Sequence, residues 1–206
     1  MKTRIAVLIS GRGSNLHRIL DEARDGLLCD CCDVAGVISN RHDAPGLAIA
    51  DAYRVPARVV PSAGVDRDAY GRRLLQVLEA WSIEVVVLAG FMRILSEDVV
   101  TRYPERILNI HPADTRAYQG PDGYGWAYER RLERTWVTVH LIDEGIDTGR
   151  ILEQAPVSLT GAETREDVAA RGLAVEHELY PRVLRAFLIG RVGEGGWDVW
   201  NPWVVG

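Results

Sequence analysis

Cysteine is confined to one short run, Cys29, Cys31 and Cys32, within the 206 residues. An odd, clustered set makes a poor disulfide framework, and a metal site would want a second half-site, such as a distant Cys-x-x-Cys or His-x-x-x-His, which is missing. The run is expected to hold reduced structural thiols in a surface connection. Lysine is scarcer: Lys2 is the only one, so arginine supplies nearly all of the 24 basic residues, a bias that codon usage can produce. A basic excess is also absent. The formal net charge is −5, whereas a protein whose main partner is the nucleic-acid backbone needs a basic face. No stretch approaches the roughly 20 apolar residues that span a bilayer, and the N-terminus lacks a charged-then-apolar signal pattern. A cytoplasmic location, with no nucleic-acid and no membrane partner, is expected. No repeat, linker or low-complexity segment breaks the chain.

What is present can fill a core: 47% of the residues are hydrophobic and 26% charged, which excludes a wholly disordered chain. The length suits a single domain, expected over residues 1–190. Residues 191–206 form a tail in which Trp197, Trp200 and Trp203 recur every three residues. Large aromatics rarely stay wet, so the tail is expected to fold back onto the core.

Arg4 to Ser10 is a β-branched apolar run, the mark of a strand buried on both faces. Glycines follow at once, then helical spacing from Leu16 to Leu20, the opening of a βαβ unit. Further strands are predicted at Val34 to Ser39, Ala57 to Val60, Glu84 to Ala89, Ile107 to Ile110, Trp136 to Ile142 and Arg150 to Val157. Helices are predicted at Pro45 to Tyr53, Asp66 to Trp81, Trp126 to Glu133 and Arg165 to Ile189, with a long irregular loop from His111 to Tyr124. The alternation predicts an α/β fold: a doubly wound, mostly parallel open sheet covered on both sides, with an antiparallel addition late in the chain.

In such sheets ligands sit beyond the carboxyl ends of the strands. Past the first strand stand Gly11, Gly13, Ser14 and Asn15, a turn that lets the backbone approach an anion at a helix start. A dinucleotide is the rival ligand. It is weakened because Leu16 replaces the third glycine of the fingerprint, and Ser39-Asn40-Arg41 stands where a ribose-binding acid belongs. A single phosphate fits better, with a merely structural turn as the bland alternative. Asn109, His111 and Asp147 form the second polar set: an amide donor for a developing oxyanion, an imidazole to shuttle a proton, and a carboxylate to orient it. No nucleophilic side chain accompanies them, so the substrate is expected to supply its own, as in metal-free transfer of an acyl-type group to an amine. Alone, His111 reads equally well as a satisfied buried histidine. His140, inside a strand, reads as structural.

The segments VLISGRGSNL (Val7 to Leu16), VISNRHDAPGL (Val37 to Leu47), VVVLAGFMRIL (Val85 to Leu95), LNIHP (Leu108 to Pro112), TVHLIDEGIDTG (Thr138 to Gly149) and EHELYP (Glu176 to Pro181) resemble, in the same order, those of the phosphoribosylglycinamide formyltransferases. These are folate-dependent enzymes of purine biosynthesis. The resemblance implies the formyltransferase fold, Rossmann-like in its N-terminal half. It also implies formyl transfer from 10-formyltetrahydrofolate, with no metal, to the amine of glycinamide ribonucleotide. Carried over by position, it makes Asn109, His111 and Asp147 catalytic. Gly13, Ser14, Asn15 and Arg67 would bind the phosphate, and Glu176 the ribose hydroxyls. Met92, Arg93, Ile94, Leu95, Ile142, Asp143, Glu144 and Asp147 would line the pterin pocket, largely through backbone groups. Small-molecule partners follow, and a homodimer is compatible with them.

The chain departs from that pattern in one place. The family's Ser-Leu-Leu-Pro after the His-Pro pair is here Ala113-Asp114-Thr115-Arg116, and its Gly-x-His-x-His stretch is Gly120-Pro121-Asp122-Gly123-Tyr124. An unchanged acceptor is expected, because the ribonucleotide-binding positions are kept. The alternatives are another amine, such as an amino sugar nucleotide, or a non-catalytic nucleotide- or folate-binding module.

Overall fold

A computed structural model describes residues 1–190. The expected tail, with Trp197, Trp200 and Trp203, lies outside the described residues. The first strand, β1 (Thr3–Ile9), is completely buried from Ile5 to Ile9, as its unbroken apolar run demands. Helix α1 (Ser14–Asp25) follows, then β2 (Cys32–Ser39), α2 (Gly46–Ala52), β3 (Ala57–Val59), α3 (Arg67–Ala80), β4 (Val85–Leu88), α4 (Glu97–Arg102) and β5 (Ile107–His111). The chain continues through α5 (Gly123–Glu129), β6 (Arg134–Leu141), β7 (Ile151–Ser158) and the long α6 (Arg165–Leu188).

The seven strands form one sheet in the order β3-β2-β1-β4-β5-β6-β7. Neighbours from β3 to β5 pair parallel; β6 runs antiparallel to β5, and β7 antiparallel to β6. The antiparallel addition therefore comprises a paired β6 and β7 at one side of a parallel sheet. Strand order reverses between β1 and β4, which opens a crevice at their carboxyl ends.

Alternate residues of β1 feed two cores. Ile5, Val7 and Ile9 pack with Leu16 and Ile19 of α1 and with Leu179, Val183 and Leu184 of α6. Ala6 and Leu8 pack with Leu74 and Leu78 of α3 and Val99 of α4 on the opposite face. Each fully buried aliphatic side chain contributes about 1.5–3 kcal/mol. Helix α6 is also tied to the sheet by Tyr180, whose buried hydroxyl lies 2.9 Å from the Leu88 carbonyl and 3.1 Å from that of Leu108.

Three details differ from expectation. Helix α4 was not anticipated, because a turn-and-a-half with a charged start carries little periodic signal. Helix α5 begins at Gly123 rather than Trp126, inside the segment expected to be irregular, because the Asp122 side chain caps it by accepting from the Gly125 N–H at 3.0 Å. The cysteines are free, but Cys32 is buried at the start of β2 rather than in a surface connection.

The turn after β1 depends on Gly13. Its φ of 78° is left-handed, and a Cβ there would lie 2.9 Å from the Gly46 Cα. Gly11, two residues earlier, would place a Cβ in open space. Gly13→Ala is therefore expected to cost at least about 1–2 kcal/mol from the left-handed backbone alone, and Gly11→Ala far less. Urea unfolding midpoints of the two variants check this difference.

Candidate active site

Two groups of polar residues meet the ends of the strands. The first gathers around the start of α1. Gly13 is the N-cap and offers no side chain to the first turn, so the N–H groups there are left for other acceptors. Asn15, buried in that turn, donates from Nδ2 to Glu176 Oε2 at 2.5 Å. The other carboxylate oxygen of Glu176 accepts from the Tyr124 hydroxyl at 2.5 Å. Burial pushes the Glu176 carboxyl up from its ordinary pKa, and these two hydrogen bonds oppose the rise. Arg67 is exposed at the start of α3, 3.9 Å from Asp68. Among the described residues no hydrogen bond joins it to Gly13, Ser14 or Asn15.

The second group is centred on β5 and β6. Asn109 sits opposite His140 across the antiparallel ladder, and its Nδ2 lies 3.1 Å from His140 Nε2. His140 Nδ1 is 2.9 Å from the Leu141 carbonyl, which can only accept. That nitrogen therefore carries a proton, and Nε2 faces the Asn109 amide. The same Asn109 Nδ2 lies 3.4 Å from Asp147 Oδ1, and His140 Nε2 is 3.5 Å from that oxygen. The other oxygen of Asp147 is 3.4 Å from His111 Nδ1. Asn109, His111 and Asp147 are thus brought together as predicted. His140, read from the sequence as structural, is a fourth member. Nothing in the alternation of β6 distinguishes a histidine that packs from one that supports a site.

Asp147 reaches this position from a left-handed backbone, φ 53°, an uncommon and strained geometry for a residue with a side chain. Burial works to raise its carboxyl, but His140, His111 and Asn109 together hold it below its ordinary pKa. His111 is 4% exposed. Burial pulls its pKa below the usual histidine value, while the Asp147 carboxylate and the Tyr118 carbonyl work to raise it. Its Nε2 lies 3.0 Å from that carbonyl, so both ring nitrogens face acceptors. The imidazolium satisfies both of them, whereas the neutral ring satisfies one.

Tyr118 belongs to the segment between β5 and α5, and that segment is held firmly. Its ring stacks on Trp126 with centroids 4.9 Å apart. Asp114 and Arg116 form a two-pronged pair at 2.9 Å, Arg116 reaches Gln154 at 2.9 Å, and Gln154 donates to Thr138 at 2.8 Å. Polar side chains thereby fasten this stretch to the sheet.

Between these residues and the turns after β4 and β6 lies a cavity of 440 Å³, within the range of small-molecule sites. Met92, Arg93, Ile94, Leu95, Ile142, Asp143, Glu144 and Asp147 all line it, as do Asn109 and His111. Gln119, Gly120 and Pro121 form a wall that the sequence did not reveal. The Arg93 charge is turned aside: its guanidinium donates to the Ser62 and Val65 carbonyls and lies 4.8 Å over the Tyr70 ring. The Ser10 hydroxyl accepts from the Met92 N–H at 2.7 Å, linking the end of β1 to the cavity rim. A larger hollow, 660 Å³, lies beside Tyr128, Leu159 and Val168 and includes none of the predicted site residues. Among the described residues no group of three or more His, Cys, Asp or Glu side chains is placed to hold a metal, and no helix is long and apolar enough to cross a membrane.

Because the Asp147 carboxylate works to raise the His111 pKa, Asp147→Asn is expected to lower it further. Proton NMR titration of the His111 ring checks the direction. An unchanged midpoint would show that the pair is not electrostatically coupled.

The formyl transferase family pattern matches residues 3–184. Phosphoribosylglycinamide formyltransferase from Escherichia coli is 37% identical over 189 residues, covering 91% of this chain and 88% of its own. The human trifunctional purine biosynthetic protein adenosine-3 is 36% identical over 97% of this chain, which spans only 20% of that longer protein. The crystal structure of glycinamide ribonucleotide transformylase 1 from Symbiobacterium toebii superposes with a TM-score of 0.89 at 41% identity, covering 94% of this chain and 92% of that one. With these likenesses spanning residues 3–184, Asn109, His111 and Asp147 among them, the chain belongs to the formyl transferase family.

Proposed function

We propose that this chain transfers the formyl group of 10-formyltetrahydrofolate to the amine of glycinamide ribonucleotide, a step of purine biosynthesis carried out in the cytoplasm. The observation that carries the proposal is the convergence of Asn109, His111 and Asp147 on the rim of the 440 Å³ cavity. An amide, an imidazole and a carboxylate suit an acyl-type transfer in which the acceptor brings its own nucleophile. The relatives named for this reaction support the choice of substrates, and the kept glycine turn, Asn15 and Glu176 support a phosphorylated sugar.

The folate co-substrate supplies an activated formyl carbon. Its flat ring system suits a slot with apolar walls and backbone polar groups, as at Met92 to Leu95 and Ile142 to Glu144. As the acceptor amine forms its bond to that carbon, negative charge grows on the formyl oxygen. Asn109 and His111 stabilise it, the imidazole as a cation that the Asp147 carboxylate supports against the pull of burial, and Asp147, through water, takes the proton the amine must lose. The folate nitrogen leaves with a proton returned to it. In this arrangement the Nε2 proton of His111 is directed at the Tyr118 carbonyl. The developing oxyanion must therefore compete with that carbonyl for His111, and with His140 and Asp147 for the Asn109 amide.

Incubation with 10-formyltetrahydrofolate and glycinamide ribonucleotide should yield the formylated ribonucleotide; formylation of another amine with this one ignored would overturn the acceptor. Asn109→Ala should lower kcat by roughly 10²–10³, as loss of one oxyanion donor does elsewhere. Arg67→Ala should raise KM for the ribonucleotide by roughly ten- to a hundredfold, the weight of one charge-assisted contact, and leave a dephosphorylated analogue unaffected. Steady-state kinetics with both acceptors separate these outcomes.

A further inference from the structure

Glu176 is a buried carboxylate at 6% exposure with one donor on each oxygen, Asn15 from α1 and Tyr124 from α5. Both donors are neutral, and the remaining lone pair of each oxygen is uncommitted. The Asn15 Oδ1, in the same cluster, is buried without a partner, an acceptor left open beside the anion turn. A buried amide oxygen is rarely left unpaired, and here a ligand hydroxyl or an ordered water would complete it. Tyr124 lies in the first turn of α5. The fold accommodates it specifically: a Cβ on Gly172 of α6 would lie 2.1 Å from two Tyr124 ring atoms, so glycine makes the space the phenol ring fills.

We infer that Tyr124 is a positioning residue that holds the Glu176 carboxylate in place as an acceptor for two hydroxyls of the bound sugar. This rests on the ribonucleotide proposed above as acceptor. A protonated Glu176 would carry one donor and one acceptor and would lose the match to a pair of hydroxyl donors. An imidazole changes its charge near neutral pH. The Tyr124 phenol, by contrast, is pushed far above its ordinary pKa, chiefly by burial, and remains a neutral donor throughout. Few other groups reach Glu176. Along α6, Tyr180 is committed to the Leu88 and Leu108 carbonyls, the adjacent His177 is shifted by burial, Arg18 and His17 rather than by Glu176, and from α1 the neighbour is the neutral Asn15. The ionisation of Glu176 is set by burial on one side and by Tyr124 and Asn15 on the other.

Tyr124→Phe removes the donor and keeps the ring. Carbon-13 NMR of the glutamate side chains in the full-length protein should show the Glu176 titration moving to higher pH in this variant. An unmoved midpoint overturns the inference, even if the melting temperature falls. Calorimetric titration with glycinamide ribonucleotide should show Kd for Tyr124→Phe matching wild type at about pH 8.5 and weakening roughly tenfold towards about pH 6, the loss of one hydrogen bond to a charged group. Dividing by the wild-type value at each pH removes the titration of the ligand phosphate. In a Glu176→Gln background the ratio should not vary with pH; a surviving pH dependence would place the effect elsewhere and overturn the inference. A shifted midpoint in a protein that fails to bind the ribonucleotide would instead count against the acceptor.

Discussion

The site depends on β6 lying antiparallel beside β5. Because it runs antiparallel, β6 leaves the sheet beside Ile107 and Leu108, and the turn that follows folds back so that Asp147 reaches Asn109 and His111. Running backwards, β6 presents His140 directly opposite Asn109 and then releases the 142–149 turn beside the cavity. The energetic cost is borne locally. Asp147 adopts a left-handed backbone, and three polar side chains lose most of their water. They tolerate this because nearly every donor among them meets an acceptor: Asn109 with His140 and Asp147, and His111 with Asp147 and Tyr118.

Much of this arrangement is legible in the residues themselves. The unbroken apolar runs of β1 and β4 could only be strands covered on both faces, and their glycine-marked ends pointed to the crevice. Asn109, His111 and Asp147 stand at strand ends, where position alone suggests chemistry. The boundaries of α5 and the existence of α4 were less visible. Gly123, Gly125 and Pro121 advertise a loop, and only the Asp122 side chain, acting as a cap, reveals that a helix has begun. His140 was hidden for another reason. A polar residue on a strand buried on both faces gives no sign of what it faces, and its pairing with Asn109 exists only once the register of β5 and β6 is known. Tyr124 and Glu176 lie 52 residues apart, and no local pattern predicts their meeting.

The segment after His111 is fastened to the sheet by polar side chains. Asp114, Arg116 and Gln154 hold it by charge and hydrogen bonding. Arg116 is largely exposed, so its ion pair with Asp114 adds little stability in water. The part of the network that counts is the buried end, where the Thr138 hydroxyl donates to the Ala113 carbonyl at 2.6 Å and fixes the chain just beyond the His-Pro pair.

Tyr180 has a mechanical consequence. It follows Glu176 by four positions, one turn of α6, a rise of about 5.4–6 Å. Its hydroxyl is moored to the carbonyls of Leu88 and Leu108, the latter immediately before Asn109. A single stiff rod therefore sets the spacing between the carboxylate on one side of the crevice and the amide on the other. The two ends of any ligand bridging them are gauged against that rod, and a molecule too short or too long by a fraction of a turn would touch one end and miss the other.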